Sequence, residues 1–235
     1  MLHPSRWRNR SGFHPWLRIQ GKPHQGPSLA RFAPMILLAD HQDSFTRNLE
    51  HLLAGFDRVV VRDRRELTPE LIEQCHLLVL SPGPGKPSDY PETLDLFRSC
   101  VGYKPVLGIC LGFQLMLEAE GATIHRQSQV LHGIETELET LPGSITYQGL
   151  PAGIRVGRYH SLQVDPSSLS CLPKTLRITG RDPIRDVPLS FEDLSRKLFG
   201  LQYHPESFLT CEGNRLIRNI RNACLDAEGG DLGTS

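Results

Sequence analysis

Apolar residues along this chain fall into short solid blocks separated by stretches of helical spacing. Met35–Ala39 is an unbroken apolar run, the pattern of a strand buried on both faces. Phe45–Leu53 has helical spacing and stops at Gly55, and Arg58–Arg62 is a Val-rich strand. Thr68–Gln74 reads as a helix with Pro69 in its first turn, where a missing N–H breaks no intrahelical bond. Leu77–Leu80 is a second buried strand, cut off by Ser81-Pro82-Gly83-Pro84-Gly85. Pro91–Ser99 is helical, Pro105–Ile109 a strand, and Leu111–Glu120 a helix stopped by Gly121. This alternation predicts an α/β fold with a mostly parallel central sheet and helices on both faces.

The second half changes character. Residues 123–180 hold short β-like pieces among many turns, including Ile154–Val156 and Leu176–Thr179, and predict a small β-rich part. Leu198–Tyr203 is one more apolar strand, and Gly213–Cys224 a closing amphipathic helix. Residues 35–225 therefore read as one domain, and residues 226–235 as a frayed tail. Residues 1–34 show no sustained period. They read as a disordered basic extension or as a mis-set start, with translation beginning at Met35. A targeting peptide is the third reading, disfavoured by low Ser content and poor amphipathicity.

Composition narrows the function classes. The 235 residues are 39% hydrophobic and 22% charged, ordinary for a soluble globular protein. No apolar run reaches the roughly 18 residues of a membrane span. The zero net charge hides a split: residues 1–34 carry six Lys/Arg and no acid, leaving 20 basic against 26 acidic residues in the rest. An acidic body gives no reason to expect nucleic acid as a partner. Six cysteines include no CxxC pair, which fits free thiols in a reducing compartment. No H-x-x-x-H or H-E-x-x-H occurs, so no metal site is expected. His41, His51, His76, His125 and His132 read as surface or capping residues, and Cys75, Cys100, Cys171, Cys211 and Cys224 as packing or surface thiols.

Chemistry gathers at strand ends, where open parallel sheets bind ligands. Gly108-Ile109-Cys110-Leu111-Gly112 links a strand to a helix and is a cysteine version of the G-x-S-x-G nucleophile elbow. Its glycines let the sharp turn close, the helix N-terminus favours a thiolate, and the Leu111 amide can donate to an oxyanion. On its own Cys110 could equally be a packing thiol. Ser81–Gly85 is stiffened by two prolines, and its two glycines leave backbone N–H groups open, although a simple tight turn would look the same. His204-Pro205-Glu206 closes a strand, and in extended chain its first and third residues share a face. A thiol on an elbow with a later His-x-Glu completes nucleophile, base and orienter.

Together these segments resemble class I (triad-type) glutamine amidotransferases, and most of all the small subunit, component II, of anthranilate synthase and aminodeoxychorismate synthase. The resemblance runs from about Met35 to Cys224. It is carried by Met35–Asp40 with Asp43–Thr46 and Asn48-Leu49, by Ser81–Gly85, by Gly108–Gln114 and by Leu201–Ser207, with Arg158–Leu162 in support. It implies a flavodoxin-like fold and a cytoplasmic enzyme without a cofactor, with Cys110 as nucleophile, His204 as base and acid, and Glu206 as orienter. It further implies an oxyanion hole at Gly83 and Leu111, and glutamine held by Gly83, Pro84, Gly85, Gln114, Ser161 and Leu162. Ammonia would pass to a larger chorismate-binding synthase subunit.

Three departures mark the chain. Phe113 stands where this branch usually has His, Arg47 where Tyr is common, and Pro183–Lys197 looks longer than usual. Anthranilate, aminodeoxychorismate or both stay open as the product. The competing readings are a stand-alone γ-glutamyl thiol hydrolase and a non-catalytic regulatory subunit.

Overall fold

Apolar strands that alternate their side chains to two covered faces build the centre of the molecule. The computed structural model describes residues 34–127 and 130–225, so the expectations for residues 1–33 and 226–235 lie outside the described residues. In chain order the elements are β1 (Met35–Asp40), α1 (Thr46–Ala54), β2 (Arg58–Asp63), α2 (Pro69–Gln74), β3 (Leu77–Leu80), α3 (Pro91–Cys100), β4 (Val106–Ile109) and α4 (Leu111–Ala119). Then follow β5 (Ile124–Arg126), β6 (Ile134–Glu137), β7 (Glu139–Thr140), β8 (Arg155–Arg158), β9 (Leu162–Val164), β10 (Arg177–Arg181), β11 (Pro188–Asp193), β12 (Leu198–Leu201) and α5 (Gly213–Leu225).

The main sheet has eight strands in the order β2-β1-β3-β4-β12-β11-β10-β7. The first five run parallel, and β11, β10 and β7 extend the sheet antiparallel. Period-2 alternation explains the double core. Ile36 and Leu38 join Leu49 and Leu53 of α1 and Leu216, Ile217 and Ile220 of α5 on one face. Met35, Leu37 and Ala39 join Ile72 of α2, Leu96 and Phe97 of α3, and Phe113, Met116 and Leu117 of α4 on the other. The β-rich part of the second half is present as two small antiparallel pairs, β5-β9 and β6-β8, beside the sheet.

The stretch Pro183–Lys197 is not an open loop. It contains β11, every residue of which is buried, and a tight hairpin into β12. Its sequence Pro-Leu-Ser-Phe-Glu-Asp hides a strand because its acids are satisfied from within. Glu192 accepts from the amides of Ile145 and Thr146 at 3.4 and 3.3 Å and from the Thr146 hydroxyl at 3.2 Å. Asp193 accepts from the hydroxyls of Thr175 and Ser195 and from Arg196, which removes the cost of burying it. Phe113, beside the elbow, is fully buried against Phe191 of β11, with ring centroids 5.6 Å apart. It therefore fills the core and does not face a partner. Arg47 lies on the surface and pairs with Glu50.

The parallel arrangement sends the C-terminal ends of β3, β4 and β12 to one edge, side by side. The segments that follow these three strands carry Gly83, Cys110 and His204.

Candidate active site

Cys110 is the turn residue between β4 and α4, with φ 51° and ψ −98°. A side-chain-bearing residue in this region is strained, and such strain collects at functional turns. The glycines around it answer a demand for space. A Cβ on Gly108 would lie 2.5 Å from the Gly112 carbonyl carbon, and one on Gly112 would lie 2.8 Å from the Leu80 Cβ. The elbow thus closes directly onto the end of β3. Leu111 opens α4, so its N–H belongs to the first helical turn, which has no intrahelical acceptor.

Gly83 meets the elbow from the side. A Cβ there would collide with the Leu111 side chain and would sit 2.7 Å from the His41 Cβ. Gly83 and Leu111 are therefore neighbours, while Pro84 and Gly85 form the exposed end of the same loop. The loop is pinned from below. The Tyr90 hydroxyl donates to the Pro84 carbonyl at 2.7 Å, and the Ser81 hydroxyl to the Pro82 carbonyl at 2.7 Å.

Ser81 Oγ has already given its proton away, so it accepts from the His41 amide (2.9 Å) and from His41 Nδ1 (3.1 Å). His41 Nε2 is then the acceptor for the Thr93 hydroxyl at 3.3 Å. The sequence places His41 at the surface; in the fold it is 1% exposed and buttresses the loop. Its position just beyond β1, at the carboxyl edge of the sheet, was the available signal.

His204 and Glu206 come together differently from the expectation. β12 ends at Leu201, and residues 204–207 form a turn closed by the Ser207 amide on the His204 carbonyl. The Thr210 hydroxyl also donates to that carbonyl at 2.7 Å. Within the turn, His204 Nδ1 lies 2.8 Å from Glu206 Oε1, with both side chains shielded from solvent. Burial disfavours the imidazolium, but hydrogen bonding and charge from Cys110 and Glu206 outweigh it and raise His204 to about 10. Nε2 has no formed hydrogen bond within the described residues, so its coupling to the thiol acts without full hydrogen-bond geometry. Catalytic contacts often tighten only when substrate binds. Phe45 and Tyr159 flank the same ring, at centroid distances of 4.7 and 5.1 Å.

The Arg158–Leu162 segment closes the site from above. Arg158 is fully buried and donates to Asp182 at 2.7 Å and to His160 Nε2 at 3.0 Å. His160 Nε2 is thereby an acceptor, which leaves Nδ1–H to donate to the Leu162 carbonyl at 2.6 Å. Gln127 clamps the same turn: its backbone N–H donates to the Ser161 carbonyl, and its side-chain amide to the His160 carbonyl. Gln114 Nε2 reaches the Leu162 carbonyl at 3.4 Å. Gln114, Ser161 and Leu162 are thus brought to one place.

Sequence reasoning misses Asp182, Gln127 and Gln202. Asp182 and Gln127 lie far from every motif along the chain, and no local signal marks them. Gln202 has one, because it sits two residues before His204 and so shares its side of an extended chain.

The buried imidazoles make stability depend on pH. Burial first, with help from Arg64 and Arg158 respectively, lowers His41 to about 4 and His160 to about 3. Unfolded histidine binds a proton near 6.5, so below that value the unfolded chain holds more protons than the native one. The melting temperature is expected to fall as pH drops from about 6.5 through about 4. His160→Gln should flatten that slope when melting is followed against pH. His204 works in the opposite window: its contribution is complete below about 6.5 and is lost as pH rises through about 10.

Among the described residues no group of His, Cys, Asp and Glu could hold a metal ion, and no helix is long and apolar enough to cross a membrane. A cysteine on a strained strand-to-helix turn, an adjacent glycine loop and a paired His–Glu turn thus lie together at the carboxyl edge of the parallel sheet. The model of the family "Glutamine amidotransferase class-I" matches residues 37–223, and the chain belongs to that family.

The chain is similar to an anthranilate synthase component 2 of Lactococcus lactis, with 35% identity over 80% of this chain and 94% of that one. It is similar also to an aminodeoxychorismate synthase component 2 of Escherichia coli, with 36% identity over 79% of this chain and 98% of that one. A solved glutamine amidotransferase from Thermotoga maritima shares the fold, with a TM-score of 0.64, 17% identity, and coverage of 84% of this chain and 100% of that one.

Proposed function

We propose that the chain is the glutamine-hydrolysing subunit of a chorismate-using synthase and that Cys110, His204 and Glu206 carry out the hydrolysis. The observation that carries the reading is the coupling of these three groups at the ends of adjacent strands β4 and β12. The component 2 names of its relatives support a synthase partner.

The Cys110 thiolate attacks the side-chain amide carbon of glutamine. The Leu111 amide and the N–H groups at Gly83 hold the oxyanion, a role worth roughly 3–4 kcal/mol per donor in the transition state. Glu206 holds the His204 imidazolium in place. His204 gives its proton to the departing nitrogen, and ammonia leaves a glutamyl thioester. His204, now neutral, takes a proton from water, whose oxygen adds to the thioester carbon. Collapse expels the thiolate and yields glutamate. Gln114 and the backbone of Ser161 and Leu162 hold the glutamine, together with Gly83, Pro84 and Gly85. Ammonia released inside a closed site stays unprotonated and nucleophilic until it reaches the partner. All six cysteines are free thiols, which suits a cytoplasmic setting.

The test is to purify the full chain with its native partner and supply chorismate with glutamine or with an ammonium salt. Formation of anthranilate, aminodeoxychorismate or both supports the reading and identifies the product. Partner-free hydrolysis of γ-glutamyl peptides, with no chorismate product, would overturn it.

A further inference from the structure

Gln202 lies behind the nucleophile, fully buried, on the bend that follows β12. Its backbone is fixed by the bond from its amide to the Leu189 carbonyl at 2.9 Å. Its side chain faces two partners. Nε2 lies 3.7 Å from Cys110 Sγ and 3.5 Å from the Cys110 carbonyl, and Oε1 accepts from Gln114 Nε2 at 3.0 Å.

The direction of this chain of amides follows from its far end. The Leu162 carbonyl can only accept, so it turns the NH2 end of Gln114 toward itself. That NH2 group then needs an acceptor on Gln202, which turns the Gln202 carbonyl toward Gln114 and its NH2 toward Cys110. The Cys110 carbonyl, again acceptor only, enforces the same orientation. An N–H fixed on a sulfur favours the anion over the thiol, because hydrogen bonding to the charged form stabilises it.

We propose that Gln202 is a catalytic residue: its side-chain amide donates to the Cys110 thiolate and ties the nucleophile, through Gln114, to the Leu162 carbonyl of the glutamine-holding turn. The assignment rests on Cys110 being the nucleophile. The charged or titratable groups around that sulfur are His204, with Glu206 behind it, and His160, which couples to His204. None of them replaces Gln202, because none presents an N–H fixed by a neutral amide chain.

The experiment uses the full chain and reads the rate of Cys110 alkylation by iodoacetamide from pH 4 to pH 10, with glutamine turnover alongside. Gln202→Met keeps the length of the side chain and removes the donor. Gln202→Glu keeps the shape and places a carboxylate beside the sulfur. Melting curves identify any variant that fails to fold, and either variant alone suffices. In the folded variants the acid limb of the alkylation profile is expected to move up by about one pH unit, and kcat for glutamine to fall roughly tenfold, with KM changed much less. The Glu variant should move the limb further than the Met variant.

An acid limb that stays where it is in a folded variant overturns the role of Gln202. The underlying reading fails separately: a Cys110→Ala chain that still releases glutamate from glutamine removes the nucleophile itself. Cys110-dependent turnover with no response to either Gln202 change removes Gln202 alone.

Discussion

Cys110→Ala is expected to abolish glutamine-supported synthesis by the complex while leaving ammonia-supported synthesis intact. The asymmetry follows from what the side chain does. In the proposed mechanism the sulfur forms the thioester, and no other thiol stands on the elbow. Loss of a covalent nucleophile costs roughly 10^4-fold or more, because positioning and the oxyanion hole alone leave only residual catalysis. Supplying ammonia directly bypasses the thioester. The backbone should survive the change, since alanine meets the same φ of 51° that cysteine already tolerates. Product formation from chorismate, measured with each nitrogen source, checks the result. Equal loss of both activities would make Cys110 a structural residue.

Asp182→Ala is expected to be the most damaging change outside the elbow. Asp182 is 3% exposed and its partner Arg158 is fully buried. Burial pushes the Asp182 carboxyl up, but bonds from Arg158 and from the amides of Ile184 and Arg185 outweigh it and hold the group below the usual carboxylate range. At Arg158 burial lowers the pKa despite the carboxylate. A guanidinium still keeps its proton inside a protein. Removing Asp182 would therefore strand a buried charge, at a cost of about 3–5 kcal/mol.

Urea unfolding of the variant should show a correspondingly lower midpoint. Replacing both partners at once, with Arg158→Met and Asp182→Leu, should recover most of that loss, because apolar groups of similar volume need no counter-charge. The double variant should then show a raised KM for glutamine. With Arg158 gone, nothing fixes His160 Nε2 as an acceptor, and the bond from its Nδ1 to the Leu162 carbonyl is no longer enforced. A double variant with native KM would confine the pair to stability.

Much of this was legible in the sequence because it is local. The apolar runs Met35–Ala39 and Leu77–Leu80 need both faces covered, and the structure covers them. Gly108 and Gly112 announce an elbow because only a residue without a Cβ lets the helix close on β3. What escaped was satisfied at a distance. β11 carries two acids that look solvent-seeking; Glu192 is met by Ile145 and Thr146, 47 and 46 residues away, and Asp193 by Thr175, 18 residues away, besides Ser195 and Arg196 of the adjoining hairpin. His41 finds Ser81 and Thr93, 40 and 52 residues away. His204 and Glu206 meet across a turn, where period-2 reasoning supposed a strand.

The position of β12 has a consequence for how the protein comes to life. The strand is the last among the described residues, yet it lies inside the sheet, between β4 and β11. Until residues 198–201 are inserted, β4 has an open edge and the elbow has no base beside it. Such long-range pairing is slow, because the loop must close before any contact rewards it. The proposed site therefore depends on a pairing between segments some 90 residues apart, and Cys110 and His204 come side by side only once β12 is in the sheet. A chain cut short before Leu198 loses His204, the proposed base, and, with it, the central strand on which the sheet is completed.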